Sequence, residues 1–92
     1  MIPSVLQHSF PEIATMLAER IDAVVEYLLP NGVRHNNEWC VGSMAGEAGQ
    51  SLKIRLVGAK VGVWKDFASN ESGGDLLELW HKVRGISLFS VF

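Results

Sequence analysis

The sequence predicts a small α+β domain, in which helices at the two ends flank an antiparallel β-sheet of three to four strands. Apolar residues recur at helical spacing over residues 9–29 and again over 74–84, whereas apolar and polar residues alternate within residues 33–67. A period of about 3.6 residues indicates an amphipathic helix, and a period of two indicates a half-buried strand. With 92 residues and 48% hydrophobic content, the whole chain (1–92) is expected to form one domain with its own core.

The first helical region begins with a clear start signal. Ser9 suits the N-cap, Pro11 the first turn and Glu12 the third helical position, which together make a capping box. The apolar residues that follow draw one stripe along the helix: Ile13, Leu17, Ile21, Val24 and Leu28. Asp22 suits the N-cap of a second helix, so the region is expected to bend near residues 20–22.

Strand signals begin after an Asn-Gly turn. Residues 33–41 are predicted to form a first strand, and residues 44–50 a flexible loop. Within residues 52–56, leucine and isoleucine alternate with lysine and arginine, as in a strand with one buried face. A turn at residues 57–60 leads into a partner strand over 61–67, so these two strands are predicted to pair as a hairpin.

The C-terminal part is predicted to be a loop over residues 69–74 followed by a helix. Asp75 suits the N-cap of that helix, and Gly85 lies where a C-terminal cap is expected. Residues 87–92 open with a serine N-cap signal but hold only the start of another helix, which indicates a fragment of a longer protein. Residues 1–8 are expected to form a loose arm.

Composition indicates an aqueous, reducing compartment. The chain has no apolar run of about 20 residues, which a membrane span needs. It also lacks the basic and apolar pattern of a signal peptide. Its single cysteine, Cys40, has no partner for an internal disulfide. We therefore expect a cytoplasmic protein.

The net charge of −2 argues against a nucleic-acid partner, but the distribution of charge changes that expectation. Residues 51–65 contain no acidic residue and four basic ones: Lys53, Arg55, Lys60 and Lys65. Binding to nucleic acid depends on the local field rather than on the total charge. The stretch therefore predicts either a nucleic-acid-binding face or an ordinary solvated strand face.

No reactive constellation is visible in the sequence. His8, His35 and His81 are far apart, and no metal-ligand spacing occurs. Cys40 has no evident base and is expected to be a buried, inert thiol. Gly73-Gly74 precedes a helix N-terminus, where a tight turn explains the glycines better than an anion site does. The isolated domain is therefore expected not to be an enzyme.

An ordered set of motifs resembles the zinc-binding domain of DnaG-type DNA primases. That family begins with Asp-Ile-Val-x-x-Ile-x-x-Tyr-Val, to which residues 20–27 (Arg-Ile-Asp-Ala-Val-Val-Glu-Tyr) are similar. It continues with a basic turn, to which residues 33–36 are similar, and then with Cys-Pro-x-His, where this chain has Trp39-Cys40. Residues 51–54 (Ser-Leu-Lys-Ile) are similar to its Ser-Phe-x-Val strand.

The resemblance continues through the second half of the chain. Residues 64–67 (Trp-Lys-Asp-Phe) fall where the family has an aromatic residue, a histidine, a zinc cysteine and a phenylalanine. Residues 72–79 resemble its Ser-Gly-Asp-x-Ile-x-Phe helix start, and residues 85–88 its Gly-x-Ser-Phe. The resemblance spans about residues 18–89. It implies a zinc-ribbon-like antiparallel sheet.

The chain differs from this family at the positions of the zinc ligands. Cys40 is kept, Ser43 falls near the histidine position, Asp66 takes the third ligand position, and residues 68–72 hold no cysteine. The resemblance therefore implies a zinc-less variant without a cofactor, as in some phage and prophage primases or primase–helicases. Packing has to replace a metal contribution of about 10 kcal/mol. The expected replacements are Trp39, Trp64, Phe67 and Trp80, with Leu52, Ile54 and Leu56.

The resemblance implies a DNA-binding module that grips single-stranded template DNA while a separate domain synthesises the primer. Lys53, Arg55, Lys60 and Lys65 are then expected to contact phosphates. The residues expected to contact bases are Arg34, Asn36 and Trp64, the last only if its ring is exposed rather than in the core. The partners would be single-stranded DNA and a primase catalytic or helicase domain. The alternative is a protein-interaction module without DNA contact, which would present an apolar patch near residues 88–92.

Overall fold

Two short helices, a sheet and a final helix follow one another along the chain in the computed structural model, which describes residues 9–85. The predicted arm at 1–8, the helix start at 87–92 and the apolar patch near 88–92 lie outside these residues. The described part contains three helices and one five-stranded sheet, so the α+β class is confirmed. Within it, no helix combines the length and apolar character that crossing a bilayer requires.

Helix α1 spans Phe10–Ala18 and helix α2 spans Ile21–Leu28, which confirms the predicted bend. The capping box is present: the Glu12 backbone N–H donates to Ser9 Oγ at 3.3 Å, and the Ser9 N–H donates to Glu12 Oε1 at 3.1 Å. The predicted cap of α2 is wrong, because Arg20 is its N-cap and makes no side-chain cap bond. Asp22 lies inside the first turn and pairs with Arg34 instead.

The strands are β1 (Val33–His35), β2 (Glu38–Val41), β3 (Leu52–Arg55), β4 (Trp64–Asp66) and β5 (Glu71–Gly73). They pair in chain order, each antiparallel to the next.

The predicted hairpin therefore exists, although β4 is shorter than the predicted strand 61–67. The predicted single strand 33–41 is wrong, because a turn at Asn36 divides it. Asn36 has a φ of 55°, a left-handed conformation that asparagine tolerates. The predicted loop 69–74 is also wrong, since it contains β5. These two differences raise the strand count to five.

Strand register gives the sheet two unlike faces. One row across the inner face holds Trp39, Ile54 and Trp64, and the next holds Val41, Leu52 and Asp66. Val41, Leu52, Ile54 and Trp64 of this face belong to the buried core, and the half-buried Trp39 packs against it. The segment of α2 with the residue after it, and helix α3 (Leu76–Arg84), add these buried members: Val24, Val25, Leu28, Leu29, Leu76 and Leu79. Within residues 9–85, the helices pack on this inner face; the opposite face, which carries Lys53 and Lys65, is referred to below as the open face.

Two tryptophans tie this inner face to the helical segments. The Trp39 indole N–H donates to the Leu29 carbonyl, and the Trp64 indole N–H donates to the Asp75 carbonyl, both at 3.1 Å. Trp64 is only 1% exposed. Gly73 lies so close to that ring that a Cβ there would be 2.5 Å from the indole carbons, which explains the glycine.

The predicted core is confirmed for Leu52, Ile54, Leu56 and Trp64, and Trp39 and Trp80 pack against it from half-buried positions. Phe67 is the exception: it is 63% exposed, so its prediction as a core residue is wrong. Cys40 is buried, as expected. The caps of α3 are confirmed. The Glu78 N–H donates to Asp75 Oδ1 at 2.8 Å, and Gly85 has a φ of 67°.

Candidate nucleic-acid interface

The open face of the sheet carries the basic residues that alternate with the core of β3. Lys53 lies between Cys40 and Lys65 in one cross-strand row, and Arg55 lies opposite Glu38 in another. Lys60 extends from the β3–β4 connection. These residues line one shallow cavity together with Val63, Trp64 and Phe67. All four cations predicted to contact phosphates therefore meet at one place.

The electrostatics of this cavity are unusual for a chain of net charge −2. Its lining holds four cations and one carboxylate, Glu38, which gives a local charge of +3. Lys53 and Lys65 are direct cross-strand partners. Opposed like charges destabilise a sheet. Within residues 9–85, no ion pair joins any of the four cations to a carboxylate. The cavity is therefore a region of uncompensated positive charge.

An aromatic side chain lies beside these cations, but it is not the predicted one. Phe67 lines the cavity, is 63% exposed, and has the Lys65 ammonium 5.1 Å from its ring centroid. Trp64 was predicted to stack on bases only if its ring were exposed; the ring is in the core instead, so that condition is not met. The exposure of Phe67 could have been predicted from strand alternation, because an inward Trp64 requires Lys65 and Phe67 to point outward.

The other two residues predicted to contact bases lie away from the cavity. Arg34 occupies the same cross-strand row as Trp39, on the inner side of the sheet, and its guanidinium Nη1 is 3.2 Å from Asp22 Oδ1. Asn36 lies in the β1–β2 turn, with its amide nitrogen 3.4 Å from His35 Nδ1. Neither lines the cavity, so the structure separates both from the basic residues of β3 and β4.

The positions at which the motif resemblance would place zinc ligands do not fit a zinc ion. Cys40 belongs to the outer-face row of Lys53, whereas Asp66 belongs to the inner-face row of Leu52, so the two point to opposite sides of the sheet. The buried Asp66 carboxylate instead accepts the backbone N–H groups of Ala68 at 2.9 Å and Ser69 at 3.4 Å. Over residues 9–85, no three His, Cys, Asp or Glu side chains come together as a metal site. The predicted absence of a cofactor stays a prediction.

Burial sets the chemistry of the Cys40 thiol. It raises the pKa of Cys40 more than the nearby Lys53 ammonium lowers it, and the Glu38 carboxylate adds a smaller increase. A raised pKa keeps the thiol protonated at neutral pH, and the thiolate is the form that attacks electrophiles and binds metals. The geometry therefore agrees with an inert structural cysteine.

Comparison of the chain with protein-family models, with curated proteins and with solved structures finds no match. The resemblance to primase domains therefore rests on the sequence motifs alone.

Proposed function

We propose that this chain is a single-stranded DNA-binding module that grips the phosphate backbone with the open face of its sheet. The observation that carries the proposal is the opposed pair Lys53 and Lys65, which has no carboxylate partner within residues 9–85 and is flanked by Arg55 and Lys60. This arrangement costs stability in the free protein. A bound polyanion relieves the cost, because each phosphate neutralises a cation.

The size of the cavity favours a polymer over a small molecule. Its volume is about 130 Å³, whereas pockets that bury a drug-sized ligand measure roughly 300–1,000 Å³. A strand that lies across the face needs no deep pocket, since its phosphates reach the cations from solvent. The helices of residues 9–85 pack with the residues of the opposite, inner face, which leaves the basic side chains within reach of an extended polymer.

The motif resemblance supplies the biological role within this proposal. The module would be a zinc-less, zinc-ribbon-like front domain of a phage- or prophage-type DNA primase or primase–helicase in the cytoplasm. It would hold template DNA for a separate catalytic domain and would itself catalyse nothing. The helicase or primase catalytic domain, in the same or a partner chain, would be its protein partner.

Fluorescence anisotropy with a labelled oligothymidylate, titrated at several salt concentrations, tests the proposal. Contacts to four phosphates of a single strand predict a log–log salt slope of about −3. The double variant Lys53→Glu, Arg55→Glu should bind far more weakly and roughly halve the slope while keeping the wild-type circular dichroism spectrum. The control Arg20→Glu, Lys82→Glu changes the net charge equally at positions outside the cavity and should retain most of the binding.

Undiminished binding by the Lys53→Glu, Arg55→Glu variant would exclude the open face as the interface. A wild-type chain that binds no oligonucleotide at low salt would favour the alternative, a protein-docking module without DNA contact.

A further inference from the structure

Phe67 is a large, exposed apolar side chain in the lining of the basic cavity. It is 63% exposed, whereas the neighbouring Trp64 is 1% exposed. The difference in exposure follows from strand alternation, which directs the Trp64 ring toward the helices and the Phe67 ring toward the basic cavity. The core therefore does not use the Phe67 ring, although it costs free energy to leave such a ring in water.

The backbone around Phe67 is held in place from both sides. Its N–H donates to the Ser51 carbonyl at 2.7 Å, which extends the β3–β4 pairing by one bond. The chain then turns on Asp66, whose carboxylate accepts the N–H of Ala68 and whose carbonyl accepts the N–H of Asn70 at 2.7 Å. The ring therefore projects from the sheet framework rather than from a loose loop, and little ordering entropy is lost when a ligand contacts it.

The surroundings of the ring match one kind of ligand. Lys65 lies 5.1 Å from the ring centroid, and three further cations line the same cavity. An aromatic face beside a basic groove is the combination with which proteins bind single-stranded nucleic acid, where the ring stacks on a base and the cations contact phosphates. A base in a duplex is already stacked on both sides, so only an unpaired base can use the ring.

We infer that Phe67 is the base-stacking residue of this face and makes it selective for unpaired strands over duplex. This inference rests on the proposed function, because it assigns the partner of the Phe67 ring within the same interface.

Three probes of equal length separate stacking from phosphate contact: an oligothymidylate, an abasic oligonucleotide with the same sugar-phosphate backbone, and a duplex. The wild-type chain should bind the oligothymidylate about 5- to 150-fold more tightly than the abasic strand, the range that one stacked base provides. Phe67→Ala should abolish this ratio but keep the salt slope, since no phosphate contact is removed. Phe67→Trp should restore the ratio, which Phe67→Leu, apolar but not aromatic, should not do.

The outcomes distinguish failure of the inference from failure of the proposed function. If the wild-type chain binds the abasic strand as tightly as the oligothymidylate, or if Phe67→Ala keeps the preference for bases, the face is a phosphate grip and the inference is wrong. If the wild-type chain binds none of the probes, the proposed function falls, and the inference falls with it. Circular dichroism of each variant verifies the fold, which an exposed position should preserve.

Discussion

Replacing Lys53 with glutamine is expected to stabilise the fold and weaken its binding to DNA. Lys53 and Lys65 face each other across β3 and β4 without a carboxylate partner in the described part of the chain. Cross-strand charge pairs contribute about 0.2–1 kcal/mol, and a like pair has the unfavourable sign. Lys53 is the better position to change, because Lys65 also contacts the Phe67 ring and its loss would offset part of the gain.

Thermal unfolding followed by circular dichroism measures the effect. For a domain of this size the expected rise in melting temperature is about 1–8 °C. Salt gives a second readout, since the screening length falls from about 30 Å at 0.01 M to about 3 Å at 1 M ionic strength. The difference between Lys53→Gln and wild type should therefore shrink as salt is added. In the anisotropy assay, loss of one phosphate contact should reduce the salt slope by about 0.7.

Lys82→Gln is the matched control. Lys82 lies on α3 and pairs with Glu71 at 3.7 Å, so its replacement removes an attractive contact of an exposed pair. It should lower the stability slightly or leave it unchanged, with no effect on DNA binding. A melting temperature that falls in Lys53→Gln at low salt, or a gain that persists at 1 M, would refute the argument from repulsion.

Three further predictions concern single positions. Glu38→Gln removes the one carboxylate that residues 9–85 contribute to the cavity lining and should tighten oligonucleotide binding by up to about 1 kcal/mol, a gain that anisotropy at high salt should no longer detect. Gly73→Ala places a Cβ 2.5 Å from the Trp64 ring and should cost about 1–3 kcal/mol in denaturant unfolding, whereas Gly74→Ala, with nothing within 4 Å, should not. Because burial raises the pKa of the Cys40 thiol, the unfolded chain ionises it first, and as pH rises above the ordinary thiol pKa of about 8.5 the free energy of unfolding should fall more in wild type than in Cys40→Ala.

Local signals in the sequence predicted the start of α1 and both ends of α3. The Ser9 capping box, the Asp75 N-cap and the Gly85 C-cap each depend on residues within one turn of the chain, so their energetics are readable without tertiary contacts. Strand β5 has no such signal. Glu71-Ser72-Gly73 has low strand propensity and pairs because β4 presents an edge and Gly73 lets the Trp64 ring approach.

The candidate site was predictable to the extent that it follows strand alternation. The basic residues of β3 were found because they alternate with Leu52, Ile54 and Leu56. Phe67 was missed because a phenylalanine is ordinarily assigned to the core, and only the inward orientation of Trp64 fixes its face. The separation of Arg34 from the cavity was not predictable, because its pairing with Asp22 depends on how α2 packs against the sheet.

The order of strands in the sheet has a consequence for how the chain folds. Every strand pairs with its immediate neighbour in sequence, so the sheet closes only short loops and has low contact order, which favours rapid folding. The last helix is different, because Leu76 and Leu79 complete the core and the Asp75 carbonyl receives the Trp64 indole N–H. During synthesis the sheet can therefore assemble early, but its apolar side stays partly uncovered until α3 has left the ribosome.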